Sequence, residues 1–278
     1  MTIEAGAAAP HGRFLWYELM TTDLAAAKAF YGRVMGWGTR DASVREMAYA
    51  FFTVGTTEVA GLTALPDAMR RMGAPPQWIG YVGVDDVDAG VAAVERLGGA
   101  VLVPPMDTAG ISRFAVVADP QTAMLALVKG REPGRRQSAS LRAPGRVGWH
   151  ELFAADTATA FAFYREVFGW QKGIAETGAK GTYQLFAAAG ETVGAMLTKP
   201  AETPVPFWLY YFNVADIDAA MSRVKAGGGE ILRGPEEVPD GSWVVHCTDP
   251  QQTMFALIGR RSYRAVGFLE RVMPPSAN

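Results

Sequence analysis

Two periodicities alternate along the chain. Over residues 15–22, Tyr17, Leu19 and Thr21 alternate with Trp16, Glu18 and Met20, which predicts a half-buried strand. Thr22 and Asp23 offer a helix N-cap, and Leu24, Ala27, Phe30, Tyr31 and Val34 then recur at helical spacing until Gly36 stops them. Residues 49–54 and 59–65 read as strands joined by a tight turn at 55–57. The plan then repeats: a strand over 78–84, a cap at Asp85 or Asp86, and a helix burying Val87, Val91, Val94 and Leu97. Gly98-Gly99 ends that helix, and strands are expected near 100–103, 114–117 and 124–128. Asp119-Pro120-Gln121 forms a turn between the last two, with proline fixing φ and aspartate bonding nearby amides. The unit is a strand, a helix and three strands.

The same pattern recurs in the second half of the chain. Trp16, Glu18, Leu19, Asp23, Phe30, Tyr31, Gly36 and Trp37 reappear as Trp149, Glu151, Leu152, Asp156, Phe163, Tyr164, Gly169 and Trp170. Residues 78–81 face 208–211, Gly98-Gly99 faces Gly228-Gly229, and Asp119-Pro120-Gln121 faces Asp249-Pro250-Gln251. A match of that length marks a duplication, so the unit is used four times. Expected boundaries are an N-terminal extension over 1–13, a first domain over 14–128, a linker over 129–146, a second domain over 147–260 and a tail over 261–278. The linker is rich in Pro, Gly, Ser and Arg and buries little. Its basic residues form either a solvated strap or a patch for a protein partner.

Composition narrows the classes. A chain of 278 residues suits two domains, and a net charge of −2 gives no reason to expect nucleic acid or a membrane surface. No secretory signal or membrane-spanning run is visible, and the single Cys247 excludes an intrachain disulfide, so a reducing cytoplasmic setting is expected. Gly227-Gly228-Gly229 follows a helix and acts as its stop, whereas a phosphate loop would precede one.

Three stretches carry a family resemblance. They are the D…A..FY…GW segments at 23–37 and 156–170, the V(D/A)D(V/I)DA segments at 84–89 and 214–219, and the turns at 119–127 and 249–257. With them the chain resembles the vicinal oxygen chelate superfamily, which includes glyoxalases, bleomycin-resistance proteins and extradiol dioxygenases, and within it a two-domain glyoxalase-like subgroup. The resemblance implies an α+β fold: a tandem duplication, with four βαβββ units paired into two open half-barrel domains whose concave faces bind small molecules. In metal-using members His, Glu or Gln ligands come from the first and last strands of the units. Those places map here onto Trp16, Ile79 and Ala126 in one copy and Trp149, Leu209 and Ala256 in the other. None of these side chains binds a metal, so no metal and no other cofactor is expected, a divalent ion entering only if the protein is an enzyme of the superfamily.

Glu18 and Glu151 share a strand face with Trp16 and Trp149, as cleft anchors or general bases, or as structural carboxylates bonded to local backbone. The expected ligand-binding set is Trp16, Glu18, Trp149, Glu151, Trp78, Trp208, Tyr211 and Trp243, with Tyr81 and Tyr210 on the same strands. His150 has the opposite parity and is expected to face the helices, and His246 and Cys247 are adjacent and point apart. His11 lies in an end expected to fray. Three functions stay open. The first is a metal-free protein that binds a small aromatic or apolar molecule. The second is a lyase or dioxygenase-type enzyme with an unorthodox site around Glu18 or Glu151, and the third is a scaffold or regulatory protein that binds a protein partner. A monomer or a homodimer suits all three.

Overall fold

A computed structural model describes residues 11–44, 47–71, 73–108, 111–129, 142–178 and 181–262. The first copy runs β1 (Phe14–Thr21), α1 (Leu24–Met35), β2 (Gly38–Val44), β3 (Met47–Val54), β4 (Thr57–Ala64), the short α2 (Asp67–Arg71), β5 (Gln77–Val84), α3 (Val87–Arg96), β6 (Ala100–Thr108), β7 (Ile111–Ala118) and β8 (Met124–Lys129). The second runs β9 (Val147–Ala154), α4 (Thr157–Phe168), β10 (Gln171–Gly178), β11 (Gly181–Ala188), β12 (Glu191–Thr198), β13 (Phe207–Asp216), α5 (Ile217–Ala226), β14 (Glu230–Glu237), β15 (Trp243–Thr248) and β16 (Met254–Arg260). Each copy forms one open eight-stranded sheet, in the orders β2-β3-β4-β1-β5-β8-β7-β6 and β10-β11-β12-β9-β13-β16-β15-β14. Most of the linker expected at 129–146 lies outside the described residues.

Local chemistry sets the helix ends. Asp23, Asp86, Asp156 and Asp216 each cap a helix by accepting from the amide three residues on, at 2.6–3.0 Å. Gly36 and Gly169 close α1 and α4 in the left-handed region, at φ 72° and 68°. The strand pattern misses β2 and β10, which form one edge of each sheet. β10 is exposed at every residue, so no apolar alternation marks it.

Each sheet has two unlike faces. The helix-bearing faces of the two copies meet in one apolar core that includes Trp37, Trp78 and Phe212, with Trp78 and Phe212 ring centroids 4.9 Å apart. Polar contacts cross this core in matched pairs. The Tyr31 hydroxyl donates to Asp249 and Tyr164 to Asp119, at 3.2 and 2.9 Å. Trp37 Nε1 donates to the Gly145 carbonyl, and Trp170 Nε1 to that of Gly12. Gln251 Oε1 accepts from the Thr22 and Asp23 amides at the start of α1, while Gln121 Oε1 accepts from the Asp156 amide before α4. The glutamine after each Asp-Pro turn therefore caps a helix of the other copy. The opposite faces carry smaller apolar clusters around Ile79 and Tyr81 in one sheet and Leu209 and Tyr211 in the other. These are the concave faces.

Candidate functional site

Register places the side chains of each concave face in rows. In the first sheet Trp16 on β1 pairs with Tyr81 on β5, Tyr81 with Ala126 on β8, Ala126 with Val116 on β7, and Val116 with Val103 on β6. In the second sheet the same row is Trp149, Tyr211, Ala256, His246 and Arg233. One pair along, Glu18 faces Gly61 and Ile79, and Glu151 faces Ala195 and Leu209. Tyr81 and Tyr211 thus complete the central rows, while Ile79 and Leu209 stand beside the glutamates.

Each glutamate is held by two phenols. Tyr49 on β3 donates to Glu18 Oε2 at 2.9 Å and Tyr81 to Oε1 at 3.1 Å. Gly61 makes room for this: a β-carbon there would lie 2.1 Å from the Tyr49 hydroxyl. In the second sheet Tyr183 on β11 and Tyr211 donate to Glu151 Oε1 and Oε2, both at 2.6 Å. Burial raises both carboxyl pKa values above the usual range, and the phenol hydrogen bonds oppose that rise in each. The negative charge is thus costly, and the Tyr81 and Tyr211 phenols that support it are themselves driven upward by burial and by the nearby carboxylate.

The second cleft extends this network. Trp149 Nε1 donates to the Tyr183 hydroxyl at 2.9 Å, and His246 Nε2 lies 2.7 Å from the Tyr211 hydroxyl. Indole is donor only, so Tyr183 must pass its own proton to Glu151. With Glu151 ionised, Tyr211 gives it its single proton, and His246 then donates from Nε2. Every donor in the chain points toward one carboxylate. Burial pushes the His246 pKa down to about 4, which keeps the ring neutral. Arg233, paired with Glu236 through two bonds of 2.8 and 2.7 Å, sits at the end of the row. The first cleft has valine at both places.

Other residues expected in the clefts lie elsewhere. Trp78 and Trp208 are buried in the interdomain core, where their Nε1 atoms donate to Tyr31 and Tyr164. Trp243 packs against the same core beneath the Arg261 guanidinium, 4.0 Å from the ring centroid. Tyr210 also faces that core and accepts from the Gly80 amide. Strand parity explains all four: on β5, β13 and β15 each is one residue away from a cleft position. His150 faces the helix side, bonded to Tyr17, and Cys247 is buried there with its thiol pKa pushed up to about 12. Trp16, Trp149, Glu18, Glu151, Tyr81 and Tyr211 come together on the concave faces. Sequence reading missed Tyr49, Tyr183 and His246. The signal for the first two was the recurrence of tyrosine on the third strand of each copy. For His246 it was strand parity, which opposes it to Cys247 and therefore turns it toward the cleft.

The clefts do not offer the donor set that a divalent metal needs. The central rows supply indole, phenol and methyl groups, and Glu18 is the single carboxylate or imidazole in the first row pair. In the second cleft Glu151 and His246 are linked through the Tyr211 hydroxyl instead of converging on one point. Among the described residues no group of three His, Cys, Asp or Glu could hold a metal ion, and no helix is long and apolar enough to cross a membrane.

Comparison with known proteins agrees with this architecture. A mycobacterial protein named as a glyoxylase, CFP32 of Mycobacterium tuberculosis, is 32% identical over 246 residues, covering 87% of this chain and 93% of that protein. The anthracycline biosynthesis protein DnrV of Streptomyces peucetius is 30% identical over 260 residues, covering 88% and 92%. Among solved structures, the 2,3-dioxygenase LapB from Pseudomonas shares the fold at a TM-score of 0.62 and 12% identity, over 92% of this chain and 94% of that one. A Mn(II)-bound glyoxalase from Novosphingobium aromaticivorans does so at 0.59 and 16%, over 91% and 84%. The model of the Glyoxalase/Bleomycin resistance protein/Dioxygenase superfamily matches residues 13–127 and again 146–257, and the chain belongs to that superfamily as two tandem copies.

Proposed function

We propose that this protein binds a small, planar, largely apolar molecule on the concave face of each sheet, without a metal held in the manner of the superfamily's enzymes. The observation that carries the reading is the central row, Trp16–Tyr81–Ala126 and Trp149–Tyr211–Ala256. In each row an indole, a phenol and a small alanine stand side by side, a setting for a flat ring system. Phe51 meets Trp16 edge-on at 6.0 Å in the first cleft, and Phe153 stacks on Phe207 at 4.8 Å beside the second. The relatedness to a protein of anthracycline biosynthesis supports a fused aromatic polycycle as the ligand class. The half-buried Glu18 and the buried Glu151 then serve as polar anchors within apolar walls.

The test is a fluorescence titration with alizarin, a planar dihydroxyanthraquinone, before and after treatment with EDTA. Saturable quenching of indole emission is expected, unchanged by EDTA and weakened on one cleft at a time by Trp16→Ala and by Trp149→Ala. An absence of saturable binding overturns the aromatic-cleft reading. Binding that EDTA abolishes overturns its metal-free part and promotes the enzymatic alternative, a lyase or oxygenase centred on Glu18 or Glu151.

A further inference from the structure

The two clefts share a Trp–Tyr–Ala row and a Tyr–Glu–Tyr clamp but differ at the outer strands. Where the first has Val116 and Val103, the second has His246 and Arg233. We infer that the second cleft is a proton-abstracting site, in which His246, backed by Tyr211 and Glu151, takes an acidic proton from a bound phenol or enolisable ketone, while the first cleft only binds. The inference rests on the aromatic-cleft reading and adds a chemistry to one of the two sites.

The geometry of the chain sets the order of events. His246 Nε2 is committed to the Tyr211 hydroxyl at 2.7 Å, and Tyr211 is committed to Glu151 Oε2 at 2.6 Å. The imidazole is half-buried, and its Nδ1 has no hydrogen bond to the described residues, which leaves that atom for an incoming group. With Nε2 protonated, Nδ1 carries the lone pair and is the acceptor. When a ligand O–H or activated C–H gives its proton to Nδ1, the Nε2 proton passes to the Tyr211 oxygen. The original Tyr211 proton passes in turn to Glu151. The ligand ends as an oxyanion or enolate, His246 as the opposite neutral tautomer, Tyr211 unchanged and Glu151 as a carboxylic acid. No oxidant, metal or further reactant is needed.

The surroundings favour that direction. The carboxyl pKa of Glu151 is raised by burial, which makes the carboxylate a better final proton acceptor than an exposed one. The charged and titratable groups around the relay are Arg233 and Glu236 on β14, Tyr211 on β13, Glu151 on β9 and Tyr183 on β11. Arg233 is the cation of this set and lies at the end of the row where the new anion would form. His246 touches the reacting atom and is the catalytic residue, whereas Tyr211 and Glu151 are positioning residues that act through it. The first cleft has the same clamped carboxylate but no imidazole or cation in its row.

Two measurements test this, both on the full-length chain. The first uses alizarin, whose visible spectrum changes when a hydroxyl ionises, at a pH one unit below its own ionisation midpoint. Dye bound in the Trp16→Ala protein, hence in the second cleft, should show an ionised-to-neutral ratio raised by about tenfold or more over free dye, a shift of one pKa unit. Adding His246→Val, which copies the first cleft, or Tyr211→Phe should return the spectrum to that of neutral dye while indole quenching persists. Dye bound in the Trp149→Ala protein should remain neutral. Quenching with a neutral spectrum in the second cleft overturns the relay and leaves the binding reading intact, whereas absence of quenching throughout overturns both. The second measurement needs no ligand: nitrogen NMR of labelled histidine should show His246 protonated at Nε2, with Tyr211→Phe perturbing that signal. An Nδ1-protonated ring in the wild-type protein overturns the relay whatever the dye does.

Discussion

His150 sits where two sheets meet, and its protonation should weaken the fold in a predictable pH window. Only 4% of the residue is exposed. Its Nδ1 lies 2.7 Å from the Val193 carbonyl and its Nε2 2.6 Å from the Tyr17 hydroxyl, while the Phe14 ring stacks on it at 3.9 Å. The carbonyl can only accept, so Nδ1 carries the proton and Nε2 accepts from Tyr17. Charging the ring would strip a cation of its water, and this burial pushes the pKa down to about 4 from its ordinary 6.5. The unfolded chain binds this proton before the folded one does, so the contribution is intact above pH 6.5 and is lost as pH falls toward 4. Between pH 7 and pH 5 the loss comes to about 2 kcal/mol, from ~1.4 kcal/mol per pKa unit. Glu18, Glu151, Asp119 and Asp249 act in the opposite sense, because burial raises their folded pKa values and protonation relieves them. A comparison with His150→Gln cancels those terms and that of His246. Urea unfolding of both proteins at the two pH values should show the wild type losing about 2 kcal/mol more than the variant. Equal losses would refute the argument that the buried ring is neutral. His150→Phe, which also lacks the titration, serves if the glutamine variant fails to fold.

Two further outcomes follow from the shared core. A protease cut inside residues 129–146 should leave fragments spanning 14–128 and 147–260 that co-elute in gel filtration, because Trp37, Trp78 and Phe212 bury one another across the boundary. Fragments that separate would show that each sheet is stable without its partner. Gln251→Ala should destabilise the protein by about 1–2 kcal/mol in urea unfolding, since α1 loses the acceptor for the Thr22 and Asp23 amides. No loss would mean that water replaces the side chain at that helix end.

Much of the fold was legible because the duplication supplied two readings of each element. Asp23 and Asp156, and Asp86 and Asp216, cap helices in matching places, and the central strands carry strong apolar alternation. The edge strands β2 and β10 were not, since a strand exposed on both faces need not alternate. Cleft membership was harder, because β5 and β13 are apolar on both faces. The run Phe207–Val214 contains Trp208, Tyr210 and Tyr211 with nothing in its hydropathy to say which face meets the helices. Only register settles it: Tyr211 lies opposite Trp149, and Trp208 lies opposite Leu152. The Gln121 and Gln251 caps were invisible for another reason. Their partners are in the other copy, and a turn motif predicts only its own local hydrogen bonds.

The division of labour between faces explains where the two copies have room to differ. On the helix side several buried polar groups meet a counterpart in the other copy, as Tyr31 with Asp249 and Tyr164 with Asp119, so a change in one copy strands a buried group in the other. The concave faces carry no such reciprocal debt, because each faces away from the shared core. Within them the inner strands hold the Tyr–Glu–Tyr clamp, whose members satisfy one another and resist single replacement. The outer strands β6 and β7, or β14 and β15, are the least constrained. Val103 and Val116 against Arg233 and His246 is the difference expected when one sheet keeps an apolar wall and the other gains an imidazole and a cation beside the same clamped carboxylate. On the proposed reading, what the clefts share sets the kind of ring system each would accept, and what the outer strands add sets which of the two would move a proton.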